Sequence, residues 1–466
     1  MHLAEALGDL RSLLGGRASA AMAQREQHSR GESYHAPGLP DIVCFPQSTE
    51  EVGGVLKIAA RYGLPVIPFG AGTSVEGQVN AIRGGITVDM REMNRVLRVS
   101  PDDMDATVQA GVTRKQLNKA LENTGLAFFI DPGADATIGG MTATRASGTT
   151  AIRYGTMSAN VLALTVVLAD GRVTATGTRA RKSSAGYDLT HLFVGSEGTL
   201  GVITEVTLRL HPLPEAVSAA VCAFGTVEDA VRTAIEAIQL GLPVARIEFL
   251  DDRQVDAVNR YSKTSLPLLP MLFFEFHGAS AHEVDDQAAM LRSLADEHGG
   301  RDFQWAREVS EREVLWKARH DAYFATLALR PGASVWTTDV CVPISRLAEC
   351  ISETRRDMEG APFPATMVGH VGDGNFHVLY AIDVRDAGEM AAADRLTERM
   401  VLRALEMGGT CTGEHGIGSG KMKYLRVEAG AALEAMRAVK RAFDPENRMN
   451  PGKIVVMDGE AHVRGH

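Results

Sequence analysis

The segment Pro65-Val66-Ile67-Pro68-Phe69-Gly70-Ala71-Gly72-Thr73-Ser74-Val75-Glu76-Gly77-Gln78 runs from a short apolar strand into a loop of glycines and small side chains. Such a loop lets several backbone N–H groups converge on one concavity, which suits phosphate oxygens. A plain turn between two strands fits the same residues equally well. A Rossmann fingerprint is excluded: its third glycine would fall at Val75, and the helix and acidic partner are not in place. The run Gly418-Ser419-Gly420-Lys421 also fails as a P-loop, with His415 where the first glycine belongs and Met422 where Ser or Thr belongs.

Working outward, Ser48 or Thr49 caps a helix with Glu50 and Glu51 in its first turn, and Gly63 ends it. Residues 1–35 begin as a short amphipathic helix carrying Glu5 and Asp9. Downstream, strands are expected at 86–89, 96–100 and 106–110, and a helix over 113–123. Residues 131–150 are almost all small, as in the wall of a cleft where a flat ligand lies close to the backbone. A hairpin turns at Asp170-Gly171 and a strong strand spans 202–210, before Pro212 and Pro214 mark a boundary. Residues 217–309 then read strand, helix, strand, strand, helix, strand, which is a ferredoxin-like unit. A helix from about 310 places Trp316, Arg319 and Tyr323 on one face. A strand over 335–342 and helices over 344–358, 388–407 and 431–443 complete the chain.

Two stretches hold side chains suited to chemistry. Val368-Gly369-His370-Val371-Gly372-Asp373-Gly374-Asn375-Phe376-His377 sets two imidazoles seven positions apart. Its three glycines argue against a helix and for a tight loop between two extended pieces. Cys411-Thr412-Gly413-Glu414-His415-Gly416-Ile417-Gly418 adds a carboxylate and a third imidazole. Two imidazoles and a carboxylate are a usual catalytic metal set, and His415 would then move protons. A glycine turn with incidental histidines is the other reading, and a metallohydrolase remains an alternative use of the same set.

The 466 residues suffice for two or three domains, and the composition, 45% hydrophobic and 23% charged, is that of an ordinary globular protein. A net charge of -10 disfavours nucleic-acid binding. Five scattered cysteines without a Cys-x-x-Cys indicate a reducing compartment and no disulfide framework. No apolar run approaches the ~20 residues of a membrane span, and no secretory signal is evident. A cytoplasmic location is expected, with peripheral attachment to an inner membrane as an alternative.

Together the stretches 68–77, 131–136, 195–201, 369–377, 413–418 and 450–453 resemble the vanillyl-alcohol-oxidase superfamily. Within it the chain is most similar to the cytochrome-type D-lactate dehydrogenase family, which also holds the glycolate oxidase FAD subunit and D-2-hydroxyglutarate dehydrogenase. The resemblance implies an α+β architecture: an N-terminal helical segment (1–35), a PCMH-type FAD-binding domain of two α/β subdomains (36–215), a ferredoxin-like cap domain with the metal site (216–430), and a C-terminal return (431–466). It implies that Pro68, Gly70, Ala71, Gly72, Thr73, Ser74 and Gly77 hold the FAD pyrophosphate end. Pro132, Gly133, Thr137, Gly139, Ser147, Gly148, Tyr154, Glu197, Gly198 and Ile203 would line the rest of the cleft, and Asn450 would approach the flavin. His370, His377 and Glu414 would bind zinc or manganese, His415 would be the base, and Arg319 with Tyr323 would grip the substrate carboxylate. No histidine lies between His35 and His191, so noncovalent FAD is expected.

The implied reaction is oxidation of D-lactate to pyruvate, with metal-assisted proton abstraction and hydride transfer to flavin N5. Glycolate or D-2-hydroxyglutarate is the alternative substrate. The neutral pair Thr337-Thr338 disfavours a substrate with a second carboxylate. The electron acceptor would be a cytochrome, a quinone or an electron-transfer flavoprotein. The oligomeric state stays open, with a homodimer as one option.

Overall fold

The structure is a computed structural model that describes residues 2–457. By contacts it divides into two compact units: one from 2–148, 155–213 and 414–457, the other from 149–154 and 214–413.

The first unit carries two sheets. Ile42–Cys44, Ile86–Asp89 and Val66–Phe69 pair in parallel, with Ala18–Ser19 antiparallel at the edge. The helix Thr49–Tyr62 covers this sheet with Val52, Val55, Leu56 and Ile58. Its ends are as the sequence dictates: Ser48 Oγ accepts the Glu51 N–H, and Gly63 takes the left-handed φ of 63° that a C-cap needs. The second sheet is wholly antiparallel, in the order Val96–Ser100, Asp105–Gln109, Val202–Arg209, Val161–Val167, Val173–Ala175. These are two α/β subdomains. The C-terminal tail is locked to the first sheet by Val66 N–H to Arg448 O and Asn450 N–H to Val66 O, at 2.9 and 2.8 Å. Lys440, buried beside Asp444, donates to Thr199 O and Met449 O and fixes the same return.

In the second unit the strands Arg301–Ala306, Ala216–Ala223, Met271–Gly278 and Val244–Leu250 lie in that order, all antiparallel, the fourth-first-third-second order of a ferredoxin-like sheet. The sheet continues through Ala365–His370, Asn375–Ile382 and Ser334–Thr337. One face packs on Trp316, Ala318, Ala322 and Ala325.

Several elements differ from expectation. A helix, Asp252–Ser262, lies between the second and third strands of the ferredoxin-like order, capped by Asp251. The helix expected from 310 is two helices, Val309–His320 and Ala322–Ala328, meeting at Asp321. The strand expected over 335–342 is split into Ser334–Thr337 and Val340–Cys341. Within the small-residue run, Ile138–Thr144 is a helix capped by Thr137, Gly139 admitting it against Ala110.

Asp251 is fully buried, and its Oδ1 accepts N–H bonds from Gln254 and Met367 at 2.8 and 3.1 Å. Burial pushes its carboxyl up to about 7, against those two N–H bonds. A raised folded-state pKa means stability that is complete below the ordinary carboxyl range and lost as pH rises through about 7. Asp251→Asn keeps the accepting oxygen and removes the charge. Its thermal unfolding is therefore expected above that of the wild type at pH 8, by on the order of a few kcal/mol, with the gap closing near pH 4. Equal midpoints at both pH values contradict the buried charge.

Candidate active site

The second unit builds its site on the hairpin Ala365–His370 and Asn375–Ile382. The register sets Val368 opposite His377 and His370 opposite Asn375. Residues two apart on a strand share a face, so His370 and His377 form a diagonal pair on one face. Their ring centroids are 5.4 Å apart at an interplanar angle of 80°. Gly374, at φ 80°, makes the turn possible and packs where a Cβ would strike Val342 O.

Each ring is oriented by its Nδ1. That of His370 lies 2.6 Å from Glu248 Oε1, and that of His377 lies 2.9 Å from Thr338 O. A carboxylate and a carbonyl accept, so both Nδ1 atoms carry a proton, which in the neutral ring leaves the lone pair on Nε2. A carboxylate or carbonyl behind an imidazole is the usual support of a metal-ligating histidine. The donor set therefore fits a divalent ion. Asp339 lies beside His377, its Oδ1 3.7 Å from Nδ1, and is itself held by Asn375 Nδ2 and Thr412 Oγ1 at 2.7 and 2.6 Å. Gly413 packs where a Cβ would strike that Asn375 amide, and Glu414 is the next residue in the chain.

Glu248 is fully buried in the strand Val244–Leu250. Its Oε2 accepts from Arg319 Nε at 2.7 Å. Burial pushes its carboxyl up, but His370 and Arg319 outweigh that and hold it below its ordinary value. The composition of the strand carried a signal for this residue, a carboxylate between Ile247 and Phe249, but its partners are 71 and 122 positions away. Tyr323 lies in the first turn of the helix after Arg319's own, is 45% exposed, and contacts the Phe324 ring. Tyr154 belongs to this unit as well: its hydroxyl is 2.6 Å from His277 Nδ1, and His277 Nε2 is 2.8 Å from Glu275.

The first unit holds a long cleft walled largely by glycines and small side chains. Pro68, Gly70, Ala71, Gly72, Thr73, Ser74, Pro132, Thr137, Gly139, Ser147, Glu197, Gly198, Ile203 and Asn450 line it, with Glu414 and His415. Gly77, Gly133 and Gly148 do not reach its wall, whereas Gln78 and Met141, from the loop and the small-residue run, do, as do Met90 and Ala110, which no motif pointed to. At Gly70 a Cβ would collide with Thr137 Oγ1, so the loop comes as close to the helix cap as backbone allows.

Glu197 stands at φ 50° and is buried. Its two oxygens accept the N–H groups of Ile417 and Gly418 at 2.7 and 2.8 Å, and burial pushes its carboxyl up to about 7 despite them. Gln78 Nε2 donates to His415 O at 2.7 Å, and Ser147 Oγ to Glu414 Oε2 at 2.8 Å. Asn450 Nδ2 donates to Gln78 O and Glu197 O, while Asn450 Oδ1 is buried with no hydrogen-bond partner among the described residues. A buried acceptor without a donor, in a glycine-walled cleft, fits the ring N–H of a bound flavin.

Residues 40–177 match the family described as FAD binding domain, and residues 213–454 match FAD linked oxidases, C-terminal domain. The chain belongs to the FAD-linked oxidases. As a member of that family it is an FAD-dependent oxidoreductase. A relative named "Probable D-lactate dehydrogenase, mitochondrial", from Danio rerio, is 52% identical over 441 residues, 94% of this chain and 88% of the relative. A mitochondrial D-lactate dehydrogenase [cytochrome] of Arabidopsis thaliana is 45% identical over 454 residues, 97% of this chain and 80% of that one. The fold of this FAD-linked oxidase is that of p-cresol methylhydroxylase, at a TM-score of 0.81 and 18% identity over 99% of this chain and 98% of the other. Among the described residues no helix is long and apolar enough to cross a membrane.

Proposed function

We propose that this chain oxidises D-lactate to pyruvate and passes the electrons to a cytochrome. The observation that carries the substrate class is the pairing of Arg319 and His370 on the two oxygens of Glu248. A guanidinium and a metal-type imidazole held by one carboxylate suit a small molecule with a carboxylate and a hydroxyl on neighbouring carbons. The first unit serves as the FAD half and the second as the substrate half. His370, His377 and Glu414 hold a zinc or manganese ion, and the cleft residues from Pro68 to Asn450 hold FAD without a covalent bond. Relatives named D-lactate dehydrogenase at 45–52% identity support this reading.

When bound, FAD supplies an acceptor for the hydride leaving C2, and the divalent ion supplies Lewis acidity that makes a bound hydroxyl more acidic. Arg319 binds the substrate carboxylate in bidentate fashion, which fixes the face that C2 presents. His415 takes the hydroxyl proton on an imidazole nitrogen as the C2–O bond becomes a carbonyl. Gln78 and Glu197 hold the backbone around His415, so the imidazole keeps its place while it carries the proton.

Thr337 and Thr338 place no cation for a second carboxylate; Thr338 Oγ1 is committed to the Val378 N–H at 2.8 Å. Burying an unpaired carboxylate costs at least about 1–3 kcal/mol, so D-lactate is expected to bleach the bound flavin roughly 10- to 100-fold faster than D-2-hydroxyglutarate. L-lactate, with its C2 hydrogen on the other face, is expected to be slower still. Anaerobic stopped-flow absorbance at the flavin band measures all three, and the reverse order overturns the assignment.

A further inference from the structure

We infer that Glu248 is a positioning residue that couples the grip on the substrate carboxylate to the hold on the metal. The inference rests on the roles proposed above for Arg319 and His370. Glu248 gives one oxygen to each, Oε1 to His370 Nδ1 at 2.6 Å and Oε2 to Arg319 Nε at 2.7 Å. Both lengths are those of charge-assisted bonds. The carboxylate is fully buried, so water cannot replace either partner.

The placement follows from the sheet. Phe249 pairs with Gly369 and Leu250 with Val368, so one step further along the same register brings Glu248 level with His370. The helix Val309–His320 lays Trp316 and Ala318 on that face of the sheet and brings Arg319 to its margin. Among the described residues Glu248 is the one acidic group paired with Arg319. Because it takes Nε, the two terminal nitrogens form the edge that Arg319 presents to an anion. Any torsion of the Glu248 side chain moves the His370 ring and the Arg319 fork together. Substrate and metal are then held by one rigid unit, and the two affinities share one support.

Glutamine at 248 separates the two duties. Its single carbonyl oxygen can serve His370 or Arg319, and its amide N–H₂ then faces the donor of the other. The test uses the FAD-loaded full chain as wild type, Glu248→Gln and Arg319→Lys. Affinity for Zn²⁺ or Mn²⁺ is read by competition with a chromogenic chelator, and KM and kcat for D-lactate are read at saturating metal. FAD content reports the state of the first unit.

The expected Glu248→Gln result is a metal affinity lower by about 10- to 100-fold and a KM higher by at least about 10-fold, with FAD content at the wild-type value. Arg319→Lys is expected to raise KM and to leave metal affinity unchanged. A Glu248→Gln protein altered in only one of the two readouts overturns the coupling while leaving the proposed reaction intact. A wild-type chain that binds neither ion overturns the metal reading and this inference together. If Glu248→Gln does not fold, Glu248→Asp carries the test: it keeps the charge but is one methylene too short to span both partners. Wild-type metal affinity and KM in that variant overturn the inference.

Discussion

His415→Ala is expected to slow reduction of the bound flavin by D-lactate by about 10²–10⁴-fold, the usual contribution of a positioned general base. The flavin itself should stay bound, because His415 is one of many residues in the cleft wall and the glycine loop from Gly70 is untouched. The size of the effect rests on how firmly the imidazole is placed. Its own carbonyl is held by Gln78, and the two residues that follow Gly416 give their N–H groups to Glu197. Gly416 is at φ 79°, and a Cβ there would run into Glu197, so this loop has one arrangement. Stopped-flow bleaching with flavin content measured on the same sample separates the outcomes. A loss under tenfold with full flavin content removes His415 from the role of base.

Arg319→Ala is expected to lower kcat/KM for D-lactate by about 10²–10⁴-fold, since two charge-assisted hydrogen bonds of about 1.5–3 kcal/mol each are lost. Both KM and kcat should suffer, because the same guanidinium binds the carboxylate and fixes the hydrogen that leaves C2. The variant also leaves Glu248 buried with His370 as its remaining partner, so the thermal midpoint should fall as well. Arg319→Lys restores the charge without the fork and should recover part of the stability and little of the rate. FAD content is expected at the wild-type level in both, as Arg319 is not in the wall of the flavin cleft. Loss of FAD on either substitution contradicts its assignment to the substrate.

The sequence by itself determined much of the framework. Short apolar runs located most strands of both units, though not Ile42–Cys44, and the order of elements over 217–309 identified the ferredoxin-like sheet. Ser48 and Gly63 set the ends of a helix through bonds between residues three and four apart. The three glycines between positions 368 and 375 required the hairpin that brings His370 and His377 onto one face. These are local rules: each depends on the chain within a few positions, so each is readable in one dimension.

Tertiary structure decided the rest. Glu248 is one charge in an apolar strand until folding delivers Arg319 and His370 to its two oxygens. Tyr154 sits in sequence beside the small residues of the flavin cleft, yet its hydroxyl closes on His277, 123 positions away. Ile138–Thr144 became helical despite Gly139 and Gly140, because packing against Ala110 outweighs the weak helical preference of glycine. The Asp252–Ser262 helix formed where few apolar residues advertised it, since the Asp251 cap also binds Met367 on a distant strand. In each case a buried polar group had to find its partner, and partners of that kind are chosen by the folded surroundings rather than by neighbours along the chain.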